Sequence, residues 1–276
     1  MNIYYTRIQI HLFIVAIAIL VIPHNNYANI SFTVPSEGAK TINEAVSKAK
    51  SGDTIWVKPG VYKEHINLTS GITLISSELF KAVIDGRGRG DVVKISYNSS
   101  VIGFEIRNGN VGVVSRGPGT AILKCKIHKN RISGIICMGN LPLLENNIIV
   151  YNEGSGIQAI DIASTMATIN HNTIAYNRNN GIVISGASTV TIENNIIVSN
   201  SGQGIKTELD PDKVKITHNN LFANRQFKFT LPENNFSFDP LFTAPKRKTM
   251  DFTLQPDSPA KKRGNDNKNL GALLNN

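Results

Sequence analysis

The chain has 276 residues, of which 41% are hydrophobic, and it carries a formal charge of +9. This apolar content is ample for a core, which excludes an intrinsically disordered protein. The positive charge favours acidic polysaccharide, anionic lipid or the cell envelope as the counterpart of the protein.

Residues 1–28 are predicted to be a secretory signal peptide. A lone Arg7 precedes an apolar run from Leu12 to Ile22, and a polar stretch ends at Ala28. The run is too short for a comfortable transmembrane helix. Because Asn26 fits the small-residue rule for cleavage after Ala28 poorly, an uncleaved membrane tether is the alternative. We expect a secreted, periplasmic or cell-surface protein, and export argues against nucleic acid as a partner.

A short helix is predicted at the start of the mature chain. In TINEAVSKAKSGD, Thr41 and Glu44 have the spacing of a capping box. The apolar residues of one face follow at helical spacing: Ile42, Ala45, Val46 and Ala49. We expect this helix to close the N-terminal end of the domain within a cap at residues 29–60.

The middle of the chain repeats. One aliphatic position recurs at intervals of 21, 22, 25, 23 and 24 residues: Ile106, Ile127, Ile149, Ile174, Ile197 and Leu221. This period is typical of a solenoid. Short β-branched runs broken by Asn and Gly predict about three strands in each repeat. We therefore predict an all-β fold, a parallel β-helix, with coils over about residues 61–226 of a single domain spanning 29–276.

Asparagines recur at two positions of the repeat. One row contains Asn147, Asn172, Asn195 and Asn219, and the other Asn130, Asn152, Asn177, Asn200 and Asn224. Asn tolerates the left-handed backbone of a sharp corner, and its amide can bond both its own turn and the next coil. We predict two structural ladders from these rows.

The C-terminal part, residues 227–276, is predicted to be an irregular cap. FKFTLPENNFSFDPLF and DFTLQPDSPAKKRG alternate like strands but contain prolines and do not repeat. They either close the far end or lie along the outside. The first of them is the expected cover for an outward apolar stripe formed by Ile148, Val150, Ile196 and Val198.

The chain resembles secreted bacterial right-handed parallel β-helix proteins of the pectin-lyase-like superfamily. The likeness is carried by TINEAVSKAKSGDTIWVKPGVYKEHINLTSGITLISSE, the N-I-x-x-x-N coils and the ending FDPLF, DFTLQPDSPA and LGA. It implies a right-handed coil and leaves the activity open, because the superfamily includes lyases, esterases, hydrolases, epimerases and proteins without known chemistry. Motifs typical of pectin methylesterases, polygalacturonases and alginate epimerases are absent from the sequence.

A calcium-dependent lyase is the first alternative to a binding protein. In such folds the substrate groove usually lies over the strand after the repeat glycine, where alternation sends Val114, Ile136, Gln158, Val183 and Lys206 outward. Candidate acids and bases gather only at its C-terminal edge: Asp161, Lys206, Glu208, Asp210 and Asp212. These acids could hold calcium while a lysine acts as the base, but an exposed polar turn explains them as well.

A basic cluster is the leading candidate for binding. KCKIHKNR and a residue one coil earlier contribute Arg107, Lys124, Lys126, His128, Lys129 and Arg131. With Lys126 and His128 facing outward, the cluster would suit uronate, sulfate or phosphate groups. Tyr151 and Tyr176 share a repeat position one coil further on. They either contact sugar or form a stabilising aromatic stack.

We expect no metal centre, because His171 and His218 share a repeat position two coils apart, about 9 to 10 Å by strand spacing. Cys125 and Cys137 either form a disulfide or stay as buried thiols. The residues thus predict a monomer that binds acidic polysaccharide or an envelope glycan, without an evident cofactor. A lyase that uses calcium and a structural or adhesive surface protein are the alternatives.

Overall fold

The computed structural model describes residues 30–163, 167–225 and 233–273. The predicted signal peptide, 1–28, lies outside the described residues, and so does the start of the predicted C-terminal cap. Among the described residues, no helix has the length and apolar character needed to cross a membrane.

The regular secondary structure of the described chain consists almost wholly of short strands. Strand β1 (Ser31–Val34) and helix α1 (Ile42–Lys48) come first. Seven complete coils follow, each with three strands: β2 (Thr54–Val57), β3 (Gly60–Tyr62) and β4 (Ile66–Leu68); β5 (Thr73–Ser76), β6 (Ala82–Asp85) and β7 (Asp91–Ser96); β8 (Ser100–Ile102), β9 (Glu105–Arg107) and β10 (Val111–Arg116); β11 (Ala121–Leu123), β12 (Lys126–His128) and β13 (Ser133–Met138); β14 (Leu143–Glu145), β15 (Ile148–Val150) and β16 (Ser155–Ile162); β17 (Ala167–Asn170), β18 (Thr173–Ala175) and β19 (Ile182–Gly186); β20 (Val190–Glu193), β21 (Ile196–Val198) and β22 (Ile205–Thr207). A 3-10 turn, Pro211–Lys213, precedes β23 (Val214–Thr217), and β24 (Phe242–Ala244) pairs antiparallel with β25 (Asp251–Leu254).

Three parallel sheets run the length of this stack. Sheet A joins β1, β23 and the first strand of every coil; sheet B joins the second strands, and sheet C the third. The predicted all-β parallel β-helix is confirmed, with about eight turns and very little helix. The first complete coil begins at Thr54, inside the segment predicted as the N-terminal cap.

The core fills the inside of the coils. The repeated aliphatic position forms an inner row on sheet B, where Ile106, Ile127, Ile149, Ile174 and Ile197 are fully buried. Successive coils pair in register, so that each isoleucine lies on the next at about the 4.8 Å strand spacing. Stacking of like residues therefore makes one continuous apolar core.

Helix α1 closes the N-terminal end of the core, as its sequence predicts. The Thr41 hydroxyl accepts a hydrogen bond from the Glu44 amide. Glu44 reaches back to the amide of Lys40 rather than that of Thr41. Glu64, which precedes β4, accepts hydrogen bonds from the amides of Ile42 and Asn43. A coil residue therefore supplies the negative charge that favours the start of the helix.

Both asparagine rows form the predicted ladders. Between neighbouring asparagines of a row, the side-chain oxygen of the later residue accepts from the backbone and side-chain amides of the earlier one, as Asn177 does from Asn152 and Asn172 from Asn147. Asn235 extends the first row beyond Asn219. The predicted role is right, but the left-handed backbone lies one residue earlier, at positions such as Asn146, His171, Tyr151 and Tyr176.

The C-terminal segment lies mainly along the outside of sheet B. Residues 235–236 stack on the last coil, through Asn219 and Asn220. Beyond them the chain covers the predicted apolar stripe, in which Ile148, Val150, Ile196 and Val198 are at most 1% exposed. The cover comes from Phe242, Phe252, Ala260 and Leu270. Phe242 belongs to the segment expected to cover the stripe, and Phe236 and Phe238 of that segment also pack against the cluster. Phe252, Ala260 and Leu270 come later in the chain.

The two cysteines are free thiols in the core. Cys125 occupies the asparagine position of its coil, where its amide donates to Asn147. Burial raises the pKa of the Cys125 thiol to about 12, although nearby backbone hydrogen bonds oppose this, and burial raises that of Cys137 as well. Both thiols are therefore packing residues rather than nucleophiles.

Candidate functional site: a basic ridge beside sheet C

The turns between sheets B and C form a ridge of cationic side chains along the solenoid. We call this set the basic ridge: Lys63, Arg87, Arg89, Lys129, Arg131, Arg178 and Arg225. All are exposed except Lys129, which is half-buried. These residues lie either on neighbouring coils or on coils with one coil between them. Neighbouring coils are about 4.8 Å apart. The ridge therefore presents positive charge at intervals along one edge of the molecule.

The repeat itself positions part of this ridge. Arg131, Glu153, Arg178, Ser201 and Arg225 each follow an asparagine of the second row. The backbone amide of each bonds to the previous coil, for example Arg178 to the carbonyl of Asn152 and Arg225 to that of Asn200. Because the buried asparagine fixes the turn, the next side chain points into solvent at the same place in every coil.

Acidic residues at this corner neutralise little of the ridge. Glu153 lies 3.8 Å from Arg178, with both side chains exposed, so the pair contributes little. Glu64 bonds the amides of α1, and Asp85 pairs with Arg107 of sheet B at 2.9 Å. The ridge therefore keeps a surplus of positive charge.

Sheet C, beside the ridge, begins with a shallow depression of about 370 Å³. Arg89 lines it together with His65, Asn67, Asp91 and Lys94. His65 Nδ1 donates to the Asp91 carbonyl at 2.9 Å, which leaves Nε2 as the second polar atom of the ring. A Cβ on Gly90 would lie 3.0 Å from the His65 ring, so this glycine allows the close approach.

Further along, the outer face of sheet C is largely apolar. The predicted alternation is correct: Ile135 and Ile157 are buried, whereas Met138 and Ile160 are 41% and 38% exposed. Val114 is 6% exposed and therefore nearly buried, although it belongs to the outward row. This face supplies a flat apolar floor next to the cationic turns.

The predicted basic cluster does not exist as one surface. Arg107 pairs with Asp85 at 2.9 Å and with Glu105 at 2.7 Å on the outside of sheet B. Burial alone would raise the pKa of Glu105, but His128 and Arg107 outweigh it and hold the pKa below the usual value. Arg107 is thus largely neutralised by acids from its own and the preceding coil.

His128 and Lys126 are less accessible to solvent than the sequence predicts. His128 is only 1% exposed, and its Nε2 lies 3.2 Å from Glu105 Oε1 without regular hydrogen-bond geometry. Burial lowers the pKa of His128, despite Glu105, and so favours the neutral ring. Lys126 Nζ lies 4.9 Å from the centre of the Phe80 ring, and burial lowers its pKa although Glu105 and Asp251 oppose this. Neither side chain forms an open anion site.

The other predicted cations lie at two different turns. Lys129 and Arg131 follow β12 and belong to the basic ridge, whereas Lys124 precedes β12 at the turn between sheets A and B. Two members of the cluster therefore remain binding candidates on the ridge. The sequence signal for Arg178 and Arg225 is that each directly follows an asparagine of the second row. The predicted basic cluster did not include these two arginines.

Tyr151 and Tyr176 stack on each other. Their ring centres are 5.1 Å apart with 11° between the planes, and Phe252 packs against both rings. The Tyr151 hydroxyl donates to the Pro245 carbonyl, and burial, aided by Tyr176, raises the pKa of Tyr151 to about 12. The stabilising stack is present, and the C-terminal cover occupies the rings that a sugar would need.

The acidic edge of sheet C is an exposed set of loose ion pairs. Lys206 lies 4.0 Å from Glu208, and Asp210 lies 3.8 Å from Lys213. Asp161 and Asp212 are exposed. Within residues 30–163, 167–225 and 233–273, no three His, Cys, Asp or Glu side chains form a group that could hold a metal ion. His171 instead contacts Asp266 at 3.0 Å, and His218 contacts Thr217 at 2.8 Å.

Comparison with known proteins identifies the coils. The family described as right-handed beta helix region matches residues 65–221. No curated protein matches the chain.

Three solved structures are similar to the chain at low identity. They are the A-module of a mannuronan C-5 epimerase of Azotobacter vinelandii (15% identity, 67% of this chain and 72% of that chain, TM-score 0.43), a pectin methylesterase in complex with a hexasaccharide (11%, 81% and 98%, 0.42) and a family PL6 polysaccharide lyase of Pseudopedobacter saltans (14%, 88% and 99%, 0.30). These values give no basis for transferring an activity.

Proposed function

Because the chain belongs to the right-handed β-helix family, we propose that its coils serve as a scaffold that binds an acidic polysaccharide along the basic ridge. The observation that carries the proposal is the ridge itself, in which cations from Lys63 to Arg225 follow one corner with little acidic compensation. A repeating fold suits a repeating ligand, since both present the same groups at regular intervals.

In this proposal, the basic ridge binds the anionic groups of the polysaccharide and sheet C contacts its sugar rings. Arginine guanidinium groups at the turns pair with carboxylate or sulfate groups, and their planar fork allows two hydrogen bonds to one anion. The apolar floor around Ile136 and Met138 then packs against the less polar faces of the sugar rings. The depression at His65, Arg89 and Lys94 offers one end of this path.

The test measures retention of the protein on immobilised acidic polysaccharides. Replacing Arg87, Arg89 and Arg131 together by alanine is expected to weaken binding at least tenfold, or about 1.4 kcal/mol. The matched control removes three exposed lysines from the turns between sheets A and B, namely Lys58, Lys81 and Lys124. Both variants lose three positive charges, so equal weakening would show attraction by net charge and refute the ridge as the site.

Two further measurements test the proposal: the salt dependence of binding and the detection of reaction products. Binding through exposed charges should weaken as salt rises from low to physiological concentration. Incubation with acidic polysaccharides and calcium, followed by ultraviolet absorbance of unsaturated uronates, tests the lyase alternative. A rise in absorbance that is lost in a Lys206→Ala variant would move the function to the edge with Asp161, Glu208, Asp210 and Asp212.

A further inference from the structure

Sheet A has a row of apolar side chains on its outer face. Trp56, Ile75, Ile102 and Leu123 pair in register on four successive coils and alternate with buried residues. Trp56 is 40% exposed, and the other three are partly exposed. Glu145 occupies the next position and ends the row. We call these four residues the sheet A stripe; it is about 15 Å long by strand spacing.

Other apolar side chains widen this surface. Leu79, in the turn before β6, is 37% exposed, and Leu143, at the start of β14, is 46% exposed. A contiguous exposed apolar surface of this kind usually marks an interaction site. Among residues 233–273, the C-terminal cover reaches sheet A at later coils, where Asn265 bonds Glu193.

Lysines border the stripe on one side. Lys58, Lys81 and Lys124 are exposed in the turns that join sheet A to sheet B, and Glu78 is the acid beside them. Apolar residues with a tryptophan, bordered by lysines, match the boundary of an anionic bilayer, where Trp rings sit among headgroups and lysines attract the surface.

The described chain also begins next to this surface. The described structure starts at Ile30, which is 54% exposed, and β1 forms the edge of sheet A next to Trp56. The sequence before it contains the apolar run from Leu12 to Ile22. Whenever that run is held in a membrane, eight residues separate it from Ser31, so sheet A is brought close to lipid.

We propose that the outer face of sheet A docks on an anionic lipid surface through the sheet A stripe and its lysines. The basic ridge lies at the turns between the other two sheets and stays free for polysaccharide. This proposal is independent of the polysaccharide function, because it uses other residues on another face.

Trp56 is the single tryptophan of the chain, so its fluorescence reports on this face directly. The full chain is mixed with phosphatidylglycerol vesicles or phosphatidylcholine vesicles, with and without brominated acyl chains. Docking predicts a blue shift and bromine quenching of Trp56 on the anionic vesicles. Alanine at Lys58, Lys81 and Lys124 should weaken this binding on the order of a hundredfold.

Two matched variants distinguish docking through the sheet A stripe from general attraction of the protein to lipid. Ile102→Glu should abolish the quenching, whereas Ile136→Glu, at an outward strand position on sheet C, should preserve it. Quenching that persists in Ile102→Glu would show that the N-terminal segment alone carries the chain to lipid, and would overturn the proposal. A blue shift that depends on protein concentration without vesicles would overturn it in favour of a second copy.

Discussion

The outward apolar stripes on sheets A and B differ, because the stripe on sheet B is covered and the stripe on sheet A is exposed. On sheet B, Ile148, Val150 and Ile196 are at most 1% exposed, because residues 242–270 pack on them. On sheet A, Trp56 is 40% exposed and Ile75 is partly exposed. Both stripes follow the same strand alternation, so the difference is made outside the strands. An outward apolar row becomes core or surface according to what a distant segment does.

The cover on sheet B combines apolar packing with a polar border. Phe252 lies among Tyr151, Tyr176 and Phe242. At the edge, Asn265 exchanges hydrogen bonds with Asn194, and Gly271 donates to the Asn194 carbonyl. The border therefore uses the polar side chain of Asn194, which lies at the corner between sheets A and B.

The largest effect is expected from the centre of the cover. Phe252→Ala should lower the free energy of unfolding by about 3 to 5 kcal/mol, since Phe252 is only 5% exposed. Trp56→Ala on the uncovered stripe should lower it by about 1 kcal/mol or less. Urea unfolding followed by circular dichroism measures both. Equal losses would show that the two stripes do not differ in packing.

An intermediate effect is expected from the ladder between the two faces. Asn172→Ala should lower the free energy of unfolding by about 1 to 3 kcal/mol, because it leaves the amides of Asn147 without their buried acceptor. Asn179→Ala is the control, since Asn179 is exposed at a turn. An unchanged melting temperature in Asn172→Ala would refute the ladder as a source of stability.

The smallest effect is expected at the border of the cover, and it depends on pH. Burial acts to raise the pKa of Asp266, but hydrogen bonds from the Lys268 amide and His171 outweigh it and lower the pKa. A lowered carboxyl pKa stabilises the fold above the unfolded value of about 3.9, and this contribution disappears as the pH falls through the folded value.

Asp266→Asn should therefore destabilise the protein slightly at pH 7, by less than about 1 kcal/mol, since the site is partly exposed. The difference from the parent should shrink as the pH falls below about 4. Melting curves across pH measure it, with the exposed Asp257→Asn as control. A difference that stays constant with pH would rule out the ion pair as its source.

The predicted basic cluster differs from the structure where ionic partners come from neighbouring coils. His128 and Arg107 looked like free cations in the sequence, but Glu105 and Asp85 lie beside them in the folded sheet. Arg131 stays a candidate for binding and is exposed, because a residue after a ladder asparagine faces solvent in each such coil. Arg178 also follows a ladder asparagine, so its exposed position could have been predicted from the sequence in the same way.

The sequence by itself determined the coils of this protein. Strand alternation, the aliphatic period and the two asparagine rows act between identical positions of neighbouring coils, so the repeat contains the information needed to stack them. Thr41 and Glu44 likewise marked the start of the capping helix through local hydrogen bonds. Tertiary structure alone decided which outward face is buried. The cover has no repeat, and its contacts join residues far apart in the chain, as Phe252 joins Tyr151, so no local pattern records where it packs.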